Sequence, residues 1–320
     1  MPGHPPSRPH RQPLFSRFRR IAWDLRTQGL LLVITLLPAA WIPGAVRAGQ
    51  IEPPTTRTAG ATTRPEQRPP AYVIHLPGIA GPMRIDQRLA RGMADGGADG
   101  LVETVEIFDW VGNRRGFAAL FGRDQNLRQA RRLAEHIVEL KRQQPDRPVV
   151  ITSHSGGTAV TAWALEMLPE VSAEAQAGEV KVDGVIMLAS ALSSRYDLSA
   201  ALTVVTGRVF HVSSPYDNLI LGAGTLLFGT LDRERDPAAG RLGFRLPAGV
   251  DPETYFNFLE VPYDPAWETL GHFGGHEGMM TVAFGREVVT PLIRAALGEQ
   301  VDLPTTRAVA EPTTHPASVE

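Results

Sequence analysis

From residue 71 onward the chain alternates short apolar runs with longer stretches whose apolar residues recur every third or fourth position. Tyr72-Val73-Ile74-His75-Leu76 predicts a first strand. Arg84 to Ala94 predicts a helix, with Ile85, Leu89 and Met93 at i+4 spacing. Leu101 to Trp110 reads as a strand carrying Val102, Val105 and Ile107. Asp124 to Gln144 reads as a long helix with Leu127, Ala130, Leu133, Ala134, Ile137 and Leu140 on one face. Pro148 to Thr152 is a β-branched strand, Thr158 to Leu168 a helix, and Val182 to Ala189 and Arg208 to Val212 are two further strands. Tyr255 to Val261 predicts a last strand and Gly278 to Leu297 a closing helix. Strands that alternate with helices predict an α/β fold, a mostly parallel sheet with helices on both faces. A sheet of this kind binds its ligands at the carboxyl ends of its strands.

The pattern fails at both ends of the chain. Residues 27–46 are uncharged, with a dense apolar centre at Leu30 to Leu37, and arginines precede them. Pro38, Pro43 and Gly44 break the run, and Val46-Arg47-Ala48 offers small residues at a cleavage spacing. Residues 1–48 are therefore expected to be a signal peptide or a membrane anchor. The dense part is shorter than the roughly 20 residues a spanning helix needs. Residues 49–70 are rich in Pro and Thr and predict a linker. Residues 71–299 form the folded domain, and 300–320 should be a loose tail.

Charge sharpens this division. The formal charge of −2 splits into +6 on residues 1–48 and −8 on the rest. An acidic body argues against nucleic acid as a partner. Cysteine is absent, which excludes disulfides, a thiol nucleophile and cysteine-ligated zinc. The body is long enough to be stable without cross-links, so export remains the expectation. Residues 27–46 could also tether the protein to a membrane.

Ser153-His154-Ser155-Gly156-Gly157 joins the Pro148–Thr152 strand to the helix that follows. A serine in a tight small-residue turn between strand and helix has the layout of a nucleophile elbow. Glycine tolerates the close backbone approach such a turn requires, and the helix directs its N–H groups and positive dipole end at the serine. Ser153 stands where G-x-S-x-G has its first glycine, and it too is small. On these residues the chain resembles the α/β-hydrolase superfamily, its serine esterase and lipase-like members in particular, over roughly Ala71 to Leu297. The resemblance implies a nucleophile at Ser155, followed in the chain by an acid and then a histidine base.

Asp217 lies just beyond the Arg208–Val212 strand, in Ser214-Pro215-Tyr216-Asp217-Asn218, and is the candidate acid. An Asx turn would also suit it, and Asp197 is the runner-up. The base is expected within Gly271-His272-Phe273-Gly274-Gly275-His276-Glu277-Gly278. His276, after two glycines at the mouth of the closing helix, fits the arrangement that the resemblance implies, and His272 is the alternative base. The four-residue spacing of the two histidines would suit a metal on a helix, but Gly274 and Gly275 between them favour a loop, and no metal is expected. His154 is expected to pack within the elbow. Backbone N–H groups of Gly156 and Ile79, the latter in His75-Leu76-Pro77-Gly78-Ile79, are the candidate oxyanion hole. Leu219 to Phe228 and the charged residues after it read as an insertion; Leu221, Leu226, Leu227 and Phe228 could line an acyl pocket or belong to the core.

The leading reading is an exported serine hydrolase that cleaves a small-molecule or lipid carboxylic ester without a cofactor. A thioesterase, amidase or acyltransferase with the same triad, or a catalytically silent protein of the same fold that binds a lipid or a partner, are the competing readings.

Overall fold

A computed structural model of the chain describes residues 68–217, 230–234 and 236–309. The expected signal or anchor, most of the linker and the Leu219–Phe228 stretch lie outside the described residues. No helix among the described residues is long and apolar enough to cross a membrane.

The strands are β1 (Ala71–Leu76), β2 (Val102–Ile107), β3 (Val149–His154), β4 (Gly184–Leu188), β5 (Val209–Ser213) and β6 (Phe258–Pro262). They form one sheet in the order β2-β1-β3-β4-β5-β6, and every neighbouring pair is parallel. β3, β4 and β5 are buried at every position, which is why their residues show no apolar–polar alternation of period two. The larger helices are α1 (Arg84–Gly96), α3 (Arg123–Gln143) and α4 (Gly156–Glu174). Three short ones are α2 (Phe117–Phe121), α5 (Ser199–Leu202) and α6 (Ala239–Leu242). The closing segment consists of α7 (Val282–Phe284), a π-helical turn over Gly285–Val289, and α8 (Thr290–Ala296).

α3 packs along α4, and α1 packs against the closing segment. The second packing depends on two glycines. A Cβ on Gly92 would stand 2.2 Å from the Val282 carbonyl oxygen, and one on Gly285 2.7 Å from that of Leu89. The backbones touch there, so neither position has room for a side chain.

The structure departs from the sequence expectations in four places. The helix after the elbow runs past Pro169 to Glu174, where Leu168 was its expected end. Burial of Leu168, Val171 and Ser172 outweighs the missing proline N–H, and the Ser172 hydroxyl donates to the Leu168 carbonyl at 2.7 Å. The last strand starts at Phe258, because Pro252–Tyr255 forms a 3₁₀ turn capped by Asp251. The closing helix begins at Val282, because residues 271–281 form an irregular loop before it. Part of the expected loose tail is ordered: Arg307 pairs antiparallel with Glu260 along β6, N–H to carbonyl in both directions at 2.9 Å. An unpaired sheet edge attracts a strand of either direction, and apolar periodicity carries no signal for one bridge.

Candidate active site

The strand order reverses direction between β1 and β3, and sheets of this kind bind ligands at the carboxyl ends of the strands flanking such a switch point. Leu76 pairs with Ser153, His154 with Leu188, and Ser213 with Pro262. The register thus brings the loops after β1, β3, β5 and β6 to one end of the sheet. Ser155, Asp217 and His276 all lie on these loops.

Ser155 occupies φ 51°, ψ −121°, a backbone region that non-glycine residues rarely adopt. Such strain costs about 1–3 kcal/mol and persists only where surrounding contacts over-determine it. They do so here. The Ser155 N–H donates to the Leu188 carbonyl at 2.9 Å. Its carbonyl accepts from the Thr158 hydroxyl at 2.6 Å and from the N–H groups of Thr158 at 3.1 Å and Ala191 at 3.3 Å. The glycines that follow are required by close approach. A Cβ on Gly157 would stand 2.6 Å from the carbonyl oxygens of Leu76 and Pro77, and one on Gly156 2.6 Å from the Ile79 side chain. Ser153, at the position of the motif's usual first glycine, is fully buried and its hydroxyl has no hydrogen-bond partner.

His276 Nδ1 lies 2.6 Å from Asp217 Oδ2, and both residues are buried. With Nδ1 donating to the carboxyl group, Nε2 is left as the proton acceptor. Among the described residues the other, buried Asp217 oxygen has no partner. The Ser214 hydroxyl donates to the Gly274 carbonyl at 2.6 Å, tying the loop after β5 to the loop that carries His276. Among the described residues the Ser155 hydroxyl makes no hydrogen bond; contacts of this type commonly tighten only when substrate is in place.

The alternative residues stand in other surroundings. His272 is fully buried, stacked on Trp267 with Tyr263 and Phe284 edge-on, and neither ring nitrogen has a hydrogen-bond partner. Burial lowers it to about 4, against a smaller opposing pull from Asp217. Asp197 is exposed and accepts from the N–H of Ser199 and the hydroxyls of Ser199 and Tyr255. It caps a surface turn. No cluster of three or more His, Cys, Asp or Glu residues placed to hold a metal occurs among the described residues.

The loop after β1 is held at several points. Trp110 Nε1 donates to the Pro77 carbonyl at 2.7 Å, Gly81 N–H to the Gly78 carbonyl at 3.0 Å, and Gly116 N–H to the Ile79 carbonyl at 2.8 Å. Because a trans peptide points its C=O and N–H in opposite directions, the bond to Gly81 turns the Ile79 N–H away from Gly81. Among the described residues neither Ile79 N–H nor Gly156 N–H donates a hydrogen bond. The Ile79 side chain lies against Gly156, with Trp110 and Leu231 bordering the same spot. Two unengaged N–H donors next to Ser155 could serve a developing oxyanion.

Three residues gain positions that periodicity could not give them. His75 Nε2 lies 3.1 Å from Asp86 Oδ1, and its Nδ1 lies 3.0 Å from the Thr152 hydroxyl. Asp86 Oδ2 accepts from Met83 N–H at 2.8 Å, so this buried pair closes the base of the loop from residue 76 to residue 83. The only signal in the sequence was an aspartate at the third position of a predicted helix. His154 Nε2 lies 3.1 Å from the carbonyl oxygen of His276.

A separate cavity of about 430 Å³ lies at the amino-terminal ends of β4, β5 and β6, bordered by Arg208, Phe256 and Asn257. It contains none of the residues above.

Residues 88–240 match the family described as "Alpha/beta hydrolase of unknown function (DUF900)". A search of curated proteins returns no match. Among solved structures, TT1662 from Thermus thermophilus is similar at 16% identity and a TM-score of 0.40, covering 73% of this chain and 92% of that one. Lipase B of Aspergillus fumigatus is similar at 12% identity and TM-score 0.36, covering 70% of this chain and 52% of that one. A cutinase-like protein from Cryptococcus sp. is similar at 14% and 0.32, covering 73% and 98%. At these scores the likenesses say nothing about substrate.

Proposed function

The chain belongs to the α/β-hydrolase superfamily, and on that premise we propose that it is a serine hydrolase cleaving a carboxylic ester. The observation that carries the reading is a serine at a strained φ of 51° on the loop after β3, at the same end of the sheet as an aspartate–histidine pair joined at 2.6 Å. Ser155 Oγ attacks the ester carbonyl carbon and its proton passes to His276 Nε2. Asp217 holds the ring through Nδ1–H and stabilises the imidazolium that forms. The oxyanion accepts from Ile79 N–H and Gly156 N–H. The tetrahedral intermediate expels the alcohol, which takes the proton from His276 Nε2. Water, deprotonated by His276, then attacks the acyl-serine; the intermediate expels Ser155 Oγ, which takes that proton back from His276 Nε2, and the acid is released.

The +6 charge on residues 1–48, the apolar run within them and the Pro/Thr linker support action outside the cytoplasm, with the body either released or tethered. The acidic body supports an ester, small-molecule or lipid, over nucleic acid as its target.

Labelling with a fluorophosphonate probe tests the chemistry before any substrate is known. Wild-type protein reacts and Ser155→Ala does not. Equal labelling of the two, or none of either, would sink the serine-hydrolase reading.

A further inference from the structure

His154, beside the nucleophile, has no part in the proton path just described, yet its ring is pinned between elbow and base loop. The ring is 4% exposed, its centroid stands 4.8 Å from that of His276, and Nε2 lies 3.1 Å from the His276 carbonyl oxygen. A carbonyl oxygen only accepts, so Nε2 carries the hydrogen and donates it.

The geometry points to His154 as a positioning residue that sets His276 in place relative to Ser155, an inference that rests on the serine-hydrolase reading. The loop of residues 271–278 carries four glycines, Gly271, Gly274, Gly275 and Gly278, and a chain so composed has little stiffness of its own. Among the described residues three hydrogen bonds tie its stretch 274–276 to other segments. Asp217 grips the His276 ring, Ser214 grips the Gly274 carbonyl, and His154 grips the backbone of His276 itself. The first two come from the loop after β5 and position the base against the acid. The third comes from the last residue of β3, whose successor is the nucleophile. Among the described residues it alone references the base directly to the strand that carries the serine.

An imidazole suits this task only while uncharged, because a cation 4.8 Å from His276 would oppose formation of the second imidazolium. Burial, with His276 adding to it, lowers His154 to about 3. The ring therefore stays neutral, with one hydrogen, across the range in which a histidine base works. Gly78 leaves room on the other side: a Cβ there would stand 3.5 Å from His154 Nδ1 and 3.3 Å from Ser155 Cβ.

The test compares His154→Phe, which keeps a ring but loses the donor, with His154→Gln, which keeps an N–H donor, using the full chain. The readouts are the rate of fluorophosphonate labelling and kcat and KM on a p-nitrophenyl ester. Misplacement of a reacting group by about 1 Å can cost about 100-fold in rate. His154→Phe is expected to slow labelling and kcat by roughly 10- to 100-fold with KM within about twofold. His154→Gln is expected to recover most of that loss. A His154→Phe protein as fast as wild type, a loss confined to KM, or equal damage in both variants would overturn the inference. Ser155→Ala separates the two levels: if it retains activity, the serine-hydrolase reading fails and this inference with it. If it is dead while His154→Phe is unimpaired, only the positioning role falls. Thermal melts of both variants register any loss of fold, and His154→Gln decides the matter if His154→Phe does not fold.

Discussion

Two histidines four residues apart have opposite surroundings, and single substitutions should separate them. His276→Ala removes the group bonded to Asp217 and should lower kcat by roughly 10⁴- to 10⁶-fold. Asp217→Asn keeps the shape but donates toward Nδ1, which selects the wrong tautomer, and should cost on the order of 10⁴-fold. His272→Phe should leave kcat within about threefold, because both ring nitrogens of His272 are buried without partners and an apolar ring removes that penalty. Kinetics of the three variants on one ester checks the set; a dead His272→Phe beside an active His276→Ala would transfer the base role to His272. From the sequence alone these histidines could be ranked only by family resemblance. Which one meets a carboxyl group was not legible, since Asp217 lies 59 positions from His276 and no local spacing encodes that meeting.

At the scale of elements, two contacts invite direct measurement. α1 and the closing segment cross where Gly92 and Gly285 meet the opposite backbone. Gly92→Ala would place a methyl group against the Val282 carbonyl, and overpacking of this kind costs roughly 1–3 kcal/mol. Urea denaturation should show that loss, and an unchanged midpoint would mean the two helices can separate freely. Removing residues 301–320 deletes the two backbone hydrogen bonds between Arg307 and Glu260. At about 0.5–1.5 kcal/mol each, the truncated protein should lose roughly 1–3 kcal/mol. Neither contact was legible beforehand: the glycines sit inside predicted helices with nothing local to mark a crossing, and residues 301–309 have the composition of a linker.

Among the described residues two buried histidines are depressed, and at the scale of the whole molecule these give a pH response. His154 and His272 fall to about 3 and about 4, in both cases chiefly through burial, from an ordinary value of 6.5. Once unfolded they bind protons below about pH 6.5, and once folded they do not until far lower, so unfolding takes up about two protons in the window between. Stability contributed by their burial is intact above about pH 6.5 and declines as pH falls toward 4. Urea midpoints measured from pH 7.5 to 4.5 should fall with acidification, and in His272→Phe they should fall less steeply. A flat profile would show that the two rings reach water. The amino-terminal boundary is also a whole-molecule property. Arg68 donates to the Leu297 carbonyl, and the Pro70 carbonyl accepts from Arg147 Nε at 3.2 Å. A protein beginning at Pro65 should therefore melt higher than one beginning at Ala71 while matching its activity. Amino-terminal sequencing of the mature protein tests release near Ala48, and an intact chain recovered from the cytosol would refute export.

The sequence by itself determined the strands, the main helices, their alternation along the chain and the elbow. Each of these depends on neighbours within a few residues: β-branched apolar runs, a 3.6-residue apolar repeat, and small residues flanking Ser155. Tertiary structure decided everything that joins distant segments. It placed His276 against Asp217 and His272 among Trp267, Tyr263 and Phe284. It carried α4 through Pro169, paired Arg307 with Glu260 on β6, and set His154 Nε2 against the His276 carbonyl oxygen. Hydrogen bonds and burial are properties of which surfaces meet. That meeting is fixed only when the whole sheet and its helices have closed around one core.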